Sequence, residues 1–188
     1  MLSIDSIQLE ANETALVVID IQEKLLAAMP KDIAANLVKN TSILLHTANE
    51  FNMPIIMTEQ YPKGLGQTVP EIKELTKGIT SIEKMSFSCC GDNNFLKAID
   101  DTKAQNLILC GMETHICVYQ TAADLLRTGF QVNVVADAVS SRTLENKQFA
   151  LEKMAAKGAN LCTVEMLLFE LLKTAEHPRF REIAKLIK

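Results

Sequence analysis

Leu107-Ile108-Leu109-Cys110-Gly111-Met112-Glu113-Thr114-His115-Ile116-Cys117 passes from a short apolar run, through a glycine turn, into a helical pattern. The run is almost wholly apolar, as suits a strand covered on both faces. The helical spacing continues over residues 114–127 and stops at Gly129, a suitable C-cap. The same strand-then-helix unit recurs along the chain. Apolar, β-branched runs are expected as strands at residues 15–19, 55–57, 80–82, 132–135 and 160–164. Helical patterns occupy residues 30–49, with Pro30 suited to a first turn, and 92–100, with Asp92 as cap. Others fall at 143–157, closing at Gly158, and at 165–173 and 179–187. Alternating strands and helices imply parallel pairing through right-handed crossovers. The expected fold is a three-layer α/β/α sandwich around one mainly parallel, six-stranded, Rossmann-like sheet.

The chain has 188 residues, the size of one domain, and a single domain over 1–188 is expected. With 48% hydrophobic and 22% charged residues it falls in the globular range. The net charge is −4 and there is no basic run, so the electrostatic footprint of a nucleic-acid binder is missing. No stretch is long and apolar enough to span a bilayer, and no membrane partner is expected. The start, MLSIDSIQLEANET, lacks the basic and then apolar pattern of a targeting peptide, so a cytoplasmic location is expected. Five cysteines, an odd number with no CxxC pair, fit reduced thiols. Three scattered histidines argue against a zinc site, and neither metal nor cofactor is expected.

In open parallel sheets, ligands bind beyond the carboxyl ends of the strands. Asp20 follows the first run and Glu59 the second. Lys84 lies just past the third, the segment from Cys110 to Cys117 follows the fourth, and Asp137 follows the fifth. A carboxylate, an ammonium and a thiol thus converge on one edge. Cys117 would sit in the opening turn of its helix, where free N–H groups and the Lys84 cation favour a thiolate. Asp20 can take the thiol proton and later activate water. The N–H groups of Glu113 and Cys117 can hold an oxyanion. Each residue also has an ordinary reading: Asp20 as a turn residue, Lys84 as a solvated cation, Cys117 as a small core side chain. Their joint placement favours a site.

Glu59, Gln60 and Tyr61 begin a loop containing Pro and Gly and are candidates to line a substrate pocket, as is Met112 in the nucleophile loop. Gln22 either orients Asp20 and contacts substrate or simply starts a helix. His115 is read as a surface residue, His46 as structural, and His177 as starting the last helix. Cys89 and Cys90 read as loop thiols without a role, and Cys110 and Cys162 as core. The helix over 114–127 is apolar on more than one face, which suggests a subunit interface near the site.

Several of these segments together resemble the isochorismatase-like hydrolases. Val17-Val18-Ile19-Asp20-Ile21-Gln22 is similar to their first-strand motif, and Glu83-Lys84-Met85-Ser86-Phe87-Ser88 to their lysine segment. Gly111-Met112-Glu113-Thr114-His115-Ile116-Cys117-Val118 resembles their nucleophile motif, and Ala136-Asp137-Ala138 with Ser140-Ser141-Arg142 their late loop. The segment from Thr58 to Gly66, with Thr68-Val69-Pro70-Glu71 and the ending from His177 to Lys188, is similar to the isochorismatase-domain-containing subgroup. The resemblance implies a Cys117-Asp20-Lys84 triad, a cis Met112–Glu113 bond that turns the Glu113 N–H toward the oxyanion, and amide hydrolysis through a thioester. It also implies dimers or larger assemblies.

Two departures narrow the expectation. The nicotinamidase branch binds metal through an Asp-x-His pattern after the second strand, where this chain has Thr58-Glu59-Gln60-Tyr61. Isochorismatase itself lacks the cysteine that is present here as Cys117. The expected activity is therefore metal-independent cysteine hydrolysis of a small amide. The alternative is a weak or non-enzymatic member of the fold that works through protein contacts. Some relatives of the subgroup carry a ribonuclease label, which an acidic chain without an RNA-binding signature does not favour.

Overall fold

A computed structural model describes residues 9–187. The reading of the first residues as free of a targeting signal falls largely outside the described residues, as does Lys188.

Six parallel strands form one sheet in the order β3-β2-β1-β4-β5-β6. They are β1 (Thr14–Ile19), β2 (Ile55–Gln60), β3 (Ile82–Lys84), β4 (Asn106–Met112), β5 (Gln131–Ser140) and β6 (Asn160–Cys162). The longer helices are α2 (Lys31–Phe51), α5 (Asn93–Thr102), α6 (Tyr119–Arg127), α7 (Leu144–Ala156) and α8 (Val164–Leu172). Shorter turns of helix are α1 (Glu23–Ala27), α3 (Pro62–Leu65), α4 (Pro70–Leu75) and α9 (Phe180–Lys185).

The three layers follow from side-chain alternation. Leu16 and Val18 of β1 face a core shared with α2 and α8 through Leu37, Leu44 and Leu168. Ala15, Val17 and Ile19 face the other core, with Phe95 and Ile99 of α5, Ala122 and Leu125 of α6 and Met154 of α7. Every residue of β1 and β4 is buried, as their unbroken apolar runs require. Among the described residues no helix is long and apolar enough to cross a membrane.

The sequence places the elements well and their ends less well. β2 continues to Gln60, three residues past the apolar run, because Thr58, Glu59 and Gln60 still pair with β3. The expected helix over 114–127 is divided. A wide π-type turn, Thr114–Val118, precedes α6, and in it both the Ile116 and Val118 N–H groups donate to the Glu113 carbonyl, at 3.0 and 3.3 Å. Such turns are inserted preferentially at functional sites.

β5 bulges beside β4, so its register jumps between Leu109↔Val134 and Gly111↔Val139. Asp137 lies in that bulge, at the carboxyl edge of the sheet where α8 begins directly after β6. Its Oδ1 accepts from the Val164 N–H at 2.8 Å and so caps α8. Gly111 has φ +118°, and a Cβ there would stand 2.0 Å from the Ile19 carbonyl oxygen. Only glycine lets β4 approach β1 this closely where Asp20 leaves the sheet.

Candidate active site

Because all strands run parallel, the ends of β1, β3 and β4 meet on one edge. Asp20 leaves β1 with φ +52°, a left-handed conformation that asparagine and aspartate tolerate better than most residues. Its side chain turns inward and is wholly buried. Lys84 ends β3, and its Nζ donates to Asp20 Oδ2 at 2.7 Å, with neither side chain reaching solvent. The same ammonium donates to Gln60 Oε1 at 2.8 Å and to the carbonyls of Ser86 and Phe87 at 3.2 and 3.3 Å. Four acceptors surround three N–H groups, so none is left to bind a substrate.

The second Asp20 oxygen is also engaged. Thr58 Oγ1 donates to Oδ1 at 2.7 Å, and the Asp20 N–H donates to the Thr58 carbonyl at 3.2 Å.

Cys117 lies in the π-type turn and is 5% exposed. Burial pushes its thiol up to about 12, the Asp20 charge adds to this, and Lys84 opposes it; a hydrogen bond to Asp20 further favours the protonated form. Burial thus works against the thiolate that the Lys84 cation favours. The Lys84 cation is already matched by Asp20, and the Cys117 sulfur is nearly dry, so burial favours the neutral thiol. Burial works against the Lys84 charge. The Asp20 charge and its hydrogen bond counter this, and the ammonium is held above its ordinary range.

The Met112–Glu113 peptide bond is cis. The Glu113 carboxylate is nearly buried and accepts from Arg142 Nε at 2.9 Å and from the Arg142 N–H at 3.3 Å.

The other candidates are distributed differently from the expectation. Gln22 is fully buried, and its amide accepts from the Gln60 N–H at 2.7 Å while donating to the Gln60 and Gly66 carbonyls at 3.0 and 2.6 Å. Gln60 is 8% exposed, with its amide spent on Lys84 and on the Met85 carbonyl. Glu59 accepts from the N–H and hydroxyl of Thr68 at 2.7 and 2.6 Å, tying down the following loop. The Met112 side chain is sealed in the core against α2 and α8. Gln22, Gln60 and Met112 are thus buried and Glu59 half-buried, with the polar atoms of the three polar side chains bonded within the protein. Tyr61 alone of this group is exposed at the edge, packed over Gly64.

Two neighbours of the Asp20–Lys84 pair have no signal in the local sequence pattern. Thr58 lies just past the apolar run read as β2 and joins the strand only because β2 extends to Gln60. Cys89, read as an idle loop thiol, is wholly buried with its sulfur 3.9 Å from Thr58 Oγ1. Burial pushes it up to about 12, with Asp20 adding to the shift and Lys84 opposing it, so it shares the electrostatic environment of Cys117. A cavity of about 490 Å³ opens beside the π-type turn and is lined by His115, Tyr119, Phe149 and Lys153, not by Cys117. The convergence of thiol, acid and amine is better evidence of chemistry than cavity size. Among the described residues no group of three His, Cys, Asp or Glu side chains is placed to hold a metal ion.

The family model of the isochorismatase domain matches residues 14–166, which contain all of these groups. The chain belongs to the isochorismatase family. Isochorismatase domain-containing protein 2 of Danio rerio is 41% identical over 182 residues, covering 96% of this chain and 89% of that protein. Among solved structures, the MAR1 ribonuclease of Caenorhabditis elegans superposes with a TM-score of 0.89 at 39% identity, covering 96% of this chain and 92% of that one. The YcaC gene product of Escherichia coli, described as an octameric hydrolase of unknown specificity, superposes with a TM-score of 0.89 at 27% identity, covering 96% and 89%. Fold and family thus agree with the isochorismatase-like resemblance of the sequence, and a hydrolase is the class of activity that the family suggests.

Proposed function

We propose that this isochorismatase-family chain is a single-domain, metal-independent cysteine hydrolase that cleaves the C–N bond of a small amide through a thioester on Cys117. The observation that carries this reading is the sealed Asp20–Lys84 pair lying against a buried, protonated thiol. In the first half-reaction the sulfur attacks the amide carbonyl as its proton passes to Asp20. The backbone N–H groups of Glu113 and Cys117 receive the oxyanion. Asp20 returns the proton to the nitrogen, the C–N bond breaks, and amine or ammonia leaves. In the second, Asp20 takes a proton from water, the resulting hydroxide attacks the thioester, and the sulfur leaves with the proton returned by Asp20. Lys84 keeps its proton throughout; its charge offsets that of Asp20 in a dry site. The reaction needs no cofactor.

Self-association and a reducing, cytoplasmic setting are part of the same proposal. An octameric relative supports the first, as do Leu144 and Phe149, each 74% exposed near the nucleophile turn. Free thiols at all five cysteines support the second. Those exposed apolar side chains also favour the alternative, a weakly active or non-enzymatic protein working through protein contacts. The ribonuclease name of the Caenorhabditis elegans relative motivates a nuclease assay. Incubation with a panel of small primary amides, reading released ammonia, separates these readings. Release that disappears in Cys117→Ser supports the amidase. Release unchanged in that variant, or RNA cleavage surviving removal of contaminating ribonuclease and lost with Cys117, contradicts it.

A further inference from the structure

The residues assigned to chemistry stand on β1, β3 and the turn after β4. β2 lies between β1 and β3 and carries none of them. We infer that β2 is the positioning strand of the site: Thr58 and Gln60, two residues apart on one face, hold the acid from one neighbouring strand and the amine from the other. The inference rests on the reading of Asp20 as the general base.

A carboxylate turns broadly about its last torsion. A single ion pair through Oδ2 would leave Asp20 free to pivot about that contact. The Thr58 hydroxyl, 2.7 Å from Oδ1, adds a bond at the other oxygen and fixes the carboxylate plane. Thr58 is 1% exposed and β-branched, so its own side chain has few alternatives. Its one hydroxyl hydrogen is spent on Asp20, which leaves its lone pairs to the Cys89 thiol.

Gln60 does the matching work on Lys84. Its Oε1 accepts from Nζ at 2.8 Å and its Nε2 donates to the Met85 carbonyl at 2.9 Å, so its amide has one orientation. Gln22 grips the backbone N–H and carbonyl of Gln60 from behind. Thr58 and Gln60 are positioning residues, not catalytic ones. General-base chemistry is sensitive to such placement, since a shift of about 1 Å costs on the order of a hundredfold in rate.

The test uses p-nitrophenyl acetate, which can acetylate Cys117 without the natural substrate being known. Intact-mass measurement then follows the lifetime of the acetyl-thioester, which ends when Asp20 activates water. Thr58→Val is expected to lengthen that lifetime about ten- to a hundredfold. Thr58→Ser, which keeps the hydroxyl, is expected to restore most of the parent value at a similar or lower melting temperature. Gln60→Met is expected to act in the same direction as Thr58→Val and decides alone if that variant does not fold. A parent-like lifetime in Thr58→Val while Asp20→Asn is long-lived overturns the inference and leaves the Asp20 reading standing, as does failure of Thr58→Ser to rescue. A parent-like lifetime in Asp20→Asn, or no acetyl group on Cys117, overturns the Asp20 reading and the inference with it.

Discussion

Lys84 Nζ and Asp20 Oδ2 stand 2.7 Å apart with both side chains inaccessible to solvent, at the ends of two strands that are not hydrogen-bonded to each other. A buried pair of this kind is costly to break from one side, because the surviving charge is left dry. Lys84→Met is therefore expected to destabilise the fold by about 3–5 kcal/mol. For a chain of this length that is a fall in melting temperature of roughly 6–20 °C. Adding Asp20→Leu to Lys84→Met should recover part of the loss. Calorimetry of the single and double variants checks both statements, and equal melting temperatures for parent and Lys84→Met would contradict them.

Asp20→Asn separates reactivity from turnover. The Asp20 carboxylate helps to keep the Cys117 thiol protonated, whereas Lys84 favours the thiolate. Neutralising Asp20 leaves Lys84 unopposed, so iodoacetamide labelling of Cys117 at neutral pH should speed up by about tenfold. Amide turnover should fall by about 10²–10⁴-fold, because the proton has nowhere to go. Labelling rates by peptide mass mapping and ammonia release, measured side by side, test the opposed signs.

Alkaline pH should weaken the fold. Burial pushes Cys89, Cys110, Cys117 and Cys162 up to about 12 from an ordinary value near 9. The unfolded chain loses these protons above pH 9 while the folded one keeps them, so the folded state binds more protons and stability falls as pH rises. The contribution is intact below pH 9 and is lost progressively between 9 and 12, at about 1.4 kcal/mol per pH unit per thiol. Urea midpoints taken from pH 8 to pH 10.5 should decline, and Cys110→Ala should flatten the slope. A slope unchanged in that variant would remove Cys110 from the account.

Gly111→Ala probes how the site edge is built. The added methyl meets the Ile19 carbonyl oxygen at 2.0 Å in a left-handed backbone region. A loss of at least about 3 kcal/mol, or failure to accumulate as soluble protein, is expected. Expression and melting of this variant beside Gly158→Ala, where a Cβ meets nothing within 4 Å, isolates the clash from the backbone cost.

How much of this was readable in the chain depends on what kind of signal each residue leaves. Asp20, Lys84 and Cys117 end apolar runs or follow them closely, so strand–helix alternation alone brings them to one edge. The sheet and its two cores follow from the same alternation. Residues whose role is to hold others leave no such mark. Gln22 and Gln60 resemble pocket-lining amides in sequence, and only their hydrogen bonds show them turned inward. Thr58 was hidden because β2 keeps pairing past its apolar run into a polar tail. Asp137 does lie at the carboxyl edge, but a strand end inferred from hydrophobicity cannot show the bulge that turns it to cap α8. For Cys117 the sequence supplies the nearby cation but not the burial that opposes it.

Peptide mass mapping of protein quenched while it turns over a small primary amide tests the central claim most directly. The account predicts an acyl group on Cys117 that decays as ammonia and carboxylate accumulate and that is absent in Cys117→Ala. Ammonia release continuing in Cys117→Ala, or an acyl group carried by another residue during turnover, would contradict it.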